Sequence, residues 1–296
     1  MTETRMTQAG KLKALIASGS ILQAPGAPDT LTARLIERAG FPAIYMTGFG
    51  ATASRLGLPD IGLLTQTEMT THARDMVRGV NIPVIADADT GYGGPASIKR
   101  TVEEYIQAGV AAIHLEDQQM PKRCGQRSGV RVISAEENVR RLRSAIEARG
   151  TDDMLIIART DALPVEGVEE AIRRAKMYQD AGVDLVFVDG IKKIADIEAV
   201  AKHVSGPKVV SIVDGNETTA LTAADLEGLG FNVIFYALST LFSAVKAIED
   251  TLTVLKNDGT PKARAGDMIS YPHFSEITGL AAYDEWDDQF GWPAKG

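Results

Sequence analysis

Cysteine is almost absent from the chain. Cys124 is the only one, so no disulfide can form within it. Basic residues are outnumbered by acidic ones, and the net charge of −8 leaves no cationic footprint for nucleic acid or an anionic membrane surface. No apolar run approaches the roughly 18 residues that a transmembrane helix needs. Met1-Thr2-Glu3-Thr4-Arg5 lacks the apolar core of a signal peptide. These absences point to a cytoplasmic protein. No G-x-G-x-x-G turn follows any strand, which argues against an open dinucleotide-binding sheet. What is present, 45% apolar and 24% charged residues over 296 positions, is an ordinary globular composition with room for one or two domains.

A strand-then-helix pattern repeats eight times without a compositional break. The apolar runs begin at Ile21, Ala43, Pro83, Ala111, Leu155, Leu185, Val209 and Val233. Each is short, and Pro83 to Ala86 has the length and β-branched content of a buried parallel strand. Amphipathic segments separate them, such as Asp29 to Ala39, Gln66 to Arg78, Ser97 to Ala108 and Val168 to Ala181. Ser134 with Glu137 reads as a capping box. Eight such units predict a (β/α)₈ TIM-type barrel over residues 1–257. The remainder, 258–296, holds three prolines and scattered aromatics (Tyr271, Phe274, Tyr283, Trp286, Phe290, Trp292). It reads as short helices that need a surface to pack on, which a partner subunit could supply.

Chemistry in such barrels sits at the C-terminal strand ends. Those ends supply Tyr45, Thr47 and Gly48; Asp87 and Asp89; His114, Glu116 and Asp117; Arg159; Asp189; and Ser211 to Asp214, with Asp60 from a loop. Asp87 and Asp89 lie two apart on the third strand and are expected to point together, so a hard cation such as Mg²⁺ between them would offset their repulsion. The plain alternative is one capping and one turn aspartate. Arg159 suits bidentate capture of a substrate carboxylate, or a structural ion pair. His114 reads as a core histidine or as a neutral donor to a developing oxyanion. The glycines of Gly91-Tyr92-Gly93-Gly94 match no phosphate-loop fingerprint, and they read as allowing close backbone approach to a metal-bound substrate. In Pro121-Lys122-Arg123-Cys124-Gly125-Gln126, two cations precede the cysteine and are expected to lower its pKa. The surrounding polar loop is long enough to be a mobile lid; otherwise the cysteine is incidental.

Six segments together carry a family resemblance. Thr47-Gly48-Phe49-Gly50, Leu56-Gly57-Leu58-Pro59-Asp60, Asp87-Ala88-Asp89-Thr90-Gly91-Tyr92-Gly93, His114-Leu115-Glu116-Asp117-Gln118, Lys122-Arg123-Cys124-Gly125 and Ala158-Arg159-Thr160-Asp161-Ala162 resemble the isocitrate lyase/phosphoenolpyruvate mutase superfamily. The 2-methylisocitrate lyase and 2,3-dimethylmalate lyase branches are the most alike. The resemblance covers roughly residues 10–260 in order. It implies Mg²⁺ or Mn²⁺, and a homotetramer in which C-terminal helices swap between subunits. It implies that Asp87 holds the metal, with Asp89, Glu116 and Asp60 holding metal-bound waters. Tyr45, Thr47, Gly48, Phe49, Asp87, Lys122, Gly125, Gln126, Arg159, Asp189 and Ser211 would contact the substrate, a small hydroxy or oxo acid. Cys124 would be the general acid/base, Asp60 or Tyr45 would remove the hydroxyl proton, and His114 with Arg159 would offset developing charge.

The implied activity is metal-dependent cleavage of a 2-hydroxy di- or tricarboxylic acid to pyruvate or glyoxylate plus a carboxylate. Decarboxylation or hydrolysis of oxaloacetate is the alternative on the same scaffold. Phosphonopyruvate chemistry ranks below it, because the mutases carry Lys-x-Asn-Ser where this chain has Cys124. A non-catalytic dicarboxylate sensor is the alternative from another class. Three departures stand out: Gln126 replaces a histidine, Asp189 a glutamate, and Ser211 to Thr219 an asparagine-led segment that binds a distal carboxylate. A smaller or less charged substrate than a tricarboxylate is therefore expected.

Overall fold

A computed structural model describes residues 6–291, so the readings at Met1–Arg5, Trp292 and Pro293 lie outside the described residues. Eight parallel strands close in sequence order into one barrel. They are β1 (Leu22–Ala27), β2 (Ile44–Met46), β3 (Val84–Asp87), β4 (Ala112–Glu116), β5 (Leu155–Thr160), β6 (Leu185–Val188), β7 (Lys208–Ile212) and β8 (Val233–Tyr236). Closure comes from β8 pairing in parallel with β1, Leu22 against Val233.

The period-2 pleat of each strand sorts its side chains into two cores. One set faces inward: Leu22, Tyr45, Ile85, Ala112, Leu155, Ile157, Leu185, Phe187, Val209, Val233 and Phe235 form a barrel-filling cluster. The alternate set, including Ile44, Ala86, Ile113, Ile156, Val186, Val210 and Ile234, packs on helix residues such as Ile98, Val102, Leu142 and Ile197. Each fully buried aliphatic side chain contributes about 1.5–3 kcal/mol. The helix Gln8–Ala17 adds Ala9 and Leu12 to the inner cluster. The same alternation, carried to the top of each strand, aims Asp87, Glu116, Arg159, Asp189 and Ser211 inward.

Two helices differ from the sequence reading. Gly48–Leu56 is helical although it contains two glycines; Thr47 caps it and it buries Ala51 and Thr52. A short helix, Leu163–Glu166, follows β5. At the helix Ala135–Arg149 only half of the expected capping box is formed, with the Glu137 N–H donating to Ser134 Oγ at 3.2 Å. The chain divides into two compact units between Leu241 and Phe242, inside the helix Ser239–Asp258, whereas the sequence places its boundary at that helix's end. The second unit also contains the helices Tyr271–Thr278 and Leu280–Phe290, matching the expectation of short helices in the tail.

Candidate active site

A small cavity of about 40 Å³ opens within the first unit, lined by Tyr45, Thr47, Phe49, Asp60, Asp87, Cys124, Gly125, Gln126, Arg159, Asp189 and Ser211 among the expected residues. Phe187, Val213, Ala237 and Leu238 complete the wall. Phe187 lies two residues before Asp189, so the strand period places both inward. Ala237 and Leu238 stand at the C-terminal end of β8, where the strand-end rule also finds them.

Arg159 is held before any ligand arrives. Its Nε and Nη2 donate to both oxygens of Asp161 at 3.0 and 2.9 Å, and Nη2 reaches Asp189 Oδ2 at 2.5 Å. It thus makes the structural ion pairs while still facing the cavity. Asp161 is itself braced from behind. Its backbone N–H donates to Asp117 Oδ1 at 2.9 Å. Asp117 Oδ2 accepts from Thr160 Oγ1 at 2.7 Å, Tyr178 Oη at 2.8 Å and Arg174 Nη1 at 3.1 Å. Asp117 therefore faces the outer helix Val168–Asp180, although it stands at a strand end.

The two aspartates of the third strand do not share a strand face as expected. β3 ends at Asp87, and Asp89 sits in a turn with φ of 47°, a left-handed conformation that short polar side chains tolerate. The turn folds the Asp89 N–H back onto Asp87 Oδ1 at 2.9 Å. The glycines that follow pack away from the cavity. A Cβ on Gly91 would lie 2.6 Å from Ile98, and one on Gly93 2.5 Å from Ser97. The close approach belongs instead to Gly48 and Gly125, where a Cβ would lie 2.4 Å from Asp87 Oδ2 and 2.5 Å from Asp161 Oδ1 respectively.

Lys122 does not reach the cavity wall. Its ammonium sits between Asp60 Oδ1 and Asp89 Oδ1, 2.6 Å from each. Arg123 is exposed and turns to the Ser128 carbonyl at 3.4 Å. Neither cation serves the thiol, so the expected depression of the Cys124 pKa is reversed: burial pushes it up to about 11. The loop is pinned at its root, where the Gln118 amide bonds both the N–H and C=O of Arg123 at 2.8 and 2.7 Å. The Cys124 N–H donates to the Asp60 carbonyl at 3.2 Å.

His114 is fully buried and lies beneath the cavity rather than on its wall. Its Nε2 is 3.1 Å from Tyr45 Oη, so it reaches the cavity through that phenol. Burial pulls His114 down to about 4, leaving it neutral near pH 7. Burial also raises the Tyr45 phenol well above its ordinary value. Tyr45 stacks on Phe235 with centroids 4.1 Å apart, which fixes its ring.

The charge balance tests the expected divalent cation. Asp60, Asp87, Asp89, Glu116, Asp161 and Asp189 are buried, and among the described residues Lys122 and Arg159 are the buried cations paired with them. Burial would raise Asp87, but His114, Lys122 and Arg159 outweigh it and hold the carboxyl at about 2. Burial pushes Asp89 up to about 6 and Glu116 well above its ordinary value. Neither Glu116 oxygen accepts a hydrogen bond. A hard divalent cation fits this excess of buried carboxylate. Among the described residues no three acidic, cysteine or histidine side chains sit close enough to share one ion.

Comparison with known proteins gives a consistent result. The family model described as phosphoenolpyruvate phosphomutase matches residues 12–256. The chain is 40% identical to 2,3-dimethylmalate lyase of Eubacterium barkeri, covering 96% of this chain and 99% of the relative. It is 37% identical to 2-methylisocitrate lyase of Halalkalibacterium halodurans, covering 94% and 91%. A solved structure of oxaloacetate acetylhydrolase with 3,3-difluorooxalacetate superposes with a TM-score of 0.90 at 36% identity, covering 98% and 99%.

Proposed function

The chain belongs to the PEP mutase/isocitrate lyase superfamily, and on that premise we propose that it is a divalent-metal-dependent carbon–carbon lyase acting on a 2-hydroxy dicarboxylic acid. The observation that carries this reading is one cavity bounded by the Asp60 and Asp87 carboxylates, the braced Arg159 and the Cys124 thiol. Bound Mg²⁺ or Mn²⁺ would supply Lewis acidity that makes the substrate hydroxyl easier to deprotonate.

The chain's own residues do the rest. Arg159, immobilised by Asp161 and Asp189, grips the carboxylate next to the hydroxyl. Tyr45, with its phenol pKa raised and its hydroxyl against His114, keeps its proton and is a donor, which leaves Asp60 as the base. Asp60 takes the hydroxyl proton, the C–O bond becomes C=O, and the adjacent C–C bond breaks. The bond's electron pair leaves on the departing fragment as a carboxylate-stabilised carbanion. Cys124 Sγ–H protonates that carbon; a thiol held near 11 keeps its proton at neutral pH until so strong a base forms. A 2-oxo acid, pyruvate or glyoxylate, and a simple carboxylate result.

The cavity lining supports a substrate with a small alkyl group in preference to a third carboxylate. Phe49, Phe187, Val213, Ala237 and Leu238 supply its apolar part, and Arg159 is the lining's one cation. A cytoplasmic homotetramer, with the second unit packed on a partner, belongs to the same reading. Exposed Val245, Ile248, Leu252, Leu255, Trp286 and Phe290 support it, and no described helix is long and apolar enough to cross a membrane.

The test is release of pyruvate and glyoxylate from 2,3-dimethylmalate, other alkylmalates, 2-methylisocitrate, isocitrate and oxaloacetate, each with Mg²⁺ and with EDTA. Metal-dependent release from an alkylmalate upholds the proposal. Turnover of oxaloacetate alone moves the enzyme to hydrolysis or decarboxylation, and silence across the panel defeats the lyase reading.

A further inference from the structure

Two of the segments that depart from the superfamily pattern meet in space. Asn216, on the loop after β7, donates from Nδ2 to Gln126 Oε1 on the lid at 3.1 Å. Both residues are held for that contact. The Asn216 N–H donates to the Val213 carbonyl at 3.3 Å, and its own carbonyl accepts from the Thr219 N–H and hydroxyl at 3.3 and 2.8 Å. Gln126 is fixed through its carbonyl, which accepts from Lys192 Nζ at 3.0 Å. A glutamine amide has one accepting oxygen and one donating nitrogen. With Oε1 turned to Asn216, the NH₂ is the opposite edge of the amide, and Gln126 lines the cavity.

We propose that Asn216 is a specificity-determining positioning residue. It orients the Gln126 amide so that Nε2 donates to the second carboxylate of a dicarboxylic substrate. This rests on reading the cavity as a hydroxy-diacid site. A neutral donor is matched to one further carboxylate at modest strength, whereas a cation there would favour a third. The two departures are thus one device, an amide pair joining the lid to the wall that holds Ser211 and Val213.

The polarity of the pair can be inverted without removing the contact. Asn216→Asp offers only acceptors, so the Gln126 amide turns to give it Nε2 and presents Oε1 to the cavity, acceptor against carboxylate. The experiment is calorimetric titration of the full-length protein in Mg²⁺ with malate, which has the second carboxylate, and with pyruvate, which does not. The wild type binds malate the more tightly. We expect Asn216→Asp to weaken malate about 30-fold and Asn216→Ala about 3- to 10-fold, with pyruvate within about 2-fold in both. In a Gln126→Leu background, Asn216→Asp loses most of its effect, leaving the added charge's repulsion of the dianion, and Asn216→Ala has no further effect. Equal weakening of both ligands, loss that persists undiminished without Gln126, or malate binding no tighter than pyruvate in the wild type would each overturn the proposal. Because the readout is binding, a protein that shows the malate–pyruvate split but cleaves nothing in the panel refutes the lyase reading alone.

Discussion

Cys124 offers the sharpest quantitative test, because sequence neighbours and tertiary surroundings point its ionisation in opposite directions. Two adjacent cations would lower the thiol pKa; burial pushes it up to about 11. At pH 8 a thiol of that pKa is about one part in a thousand thiolate, against roughly one in four for a free cysteine of pKa about 8.5. Alkylation proceeds through the thiolate, so iodoacetamide should modify Cys124 roughly 200-fold more slowly than a free thiol at pH 8, before any steric protection. The rate should then climb about tenfold per pH unit up to pH 10. With a single cysteine in the chain, the rate of mass gain in EDTA reads this site alone, and Cys124→Ser gives the blank. A rate that levels off below about pH 9 would place the thiolate in the activated range of Cys-Lys/Arg sites and refute the assignment of Lys122 to Asp60 and Asp89.

Three further outcomes follow from the geometry. Cys124→Ser should bind substrate with little change while turnover falls about 10²- to 10⁴-fold, the range of a lost general acid; near-full activity would remove the thiol from the mechanism. Arg174→Met strips the buried Asp117 carboxylate of its cation and should cost about 3–5 kcal/mol in urea unfolding, far more than losing the exposed Lys99–Glu103 pair; equal losses would show that the brace is ornamental. His72 is buried and its pKa is lowered, first by burial and then by Arg55. The folded chain therefore binds that proton less tightly than the unfolded one, and the contribution is complete above about pH 6.5 and lost as pH falls below it. His72→Met should flatten the loss of stability between about pH 7 and 5; an unchanged slope would locate the titration elsewhere.

The barrel was legible because parallel strands buried on both faces leave short apolar runs, and the runs of β3 to β6 end at or beside a charged residue: Asp87, Glu116, Arg159 and Asp189. Tyr45, Asp87, Glu116, Arg159 and Asp189 were readable because the pleat carries inward parity to the strand ends. What escaped the sequence depends on partners distant in the chain. Lys122 sits beside Cys124 in sequence but spends its charge on Asp60 and Asp89. Asp89 leaves the strand because its turn folds onto Asp87, which spacing alone does not distinguish from continued extension. The glycine-rich run after Asp89 drew attention by composition, yet the glycines pressed against the site are Gly48 and Gly125, each isolated in sequence. Asp117, placed with the strand-end carboxylates by position, proved to face outward because Thr160, Tyr178 and Arg174 meet there.

That outward-facing carboxylate limits how such an enzyme can diverge. Through Asp117 and Asp161, Arg174 and Tyr178 on a peripheral helix are bonded in series to the guanidinium at the cavity. A helix layer that would ordinarily drift under neutral substitution is thereby coupled to recognition of the reacting carboxylate, and its inner face is closed to change. Gln126 and Asn216 are held instead by neighbours at the rim itself, Lys192, Val213 and Thr219. Selection for a new substrate on this chain therefore has an open route at the rim of the barrel and a barred one through its flank.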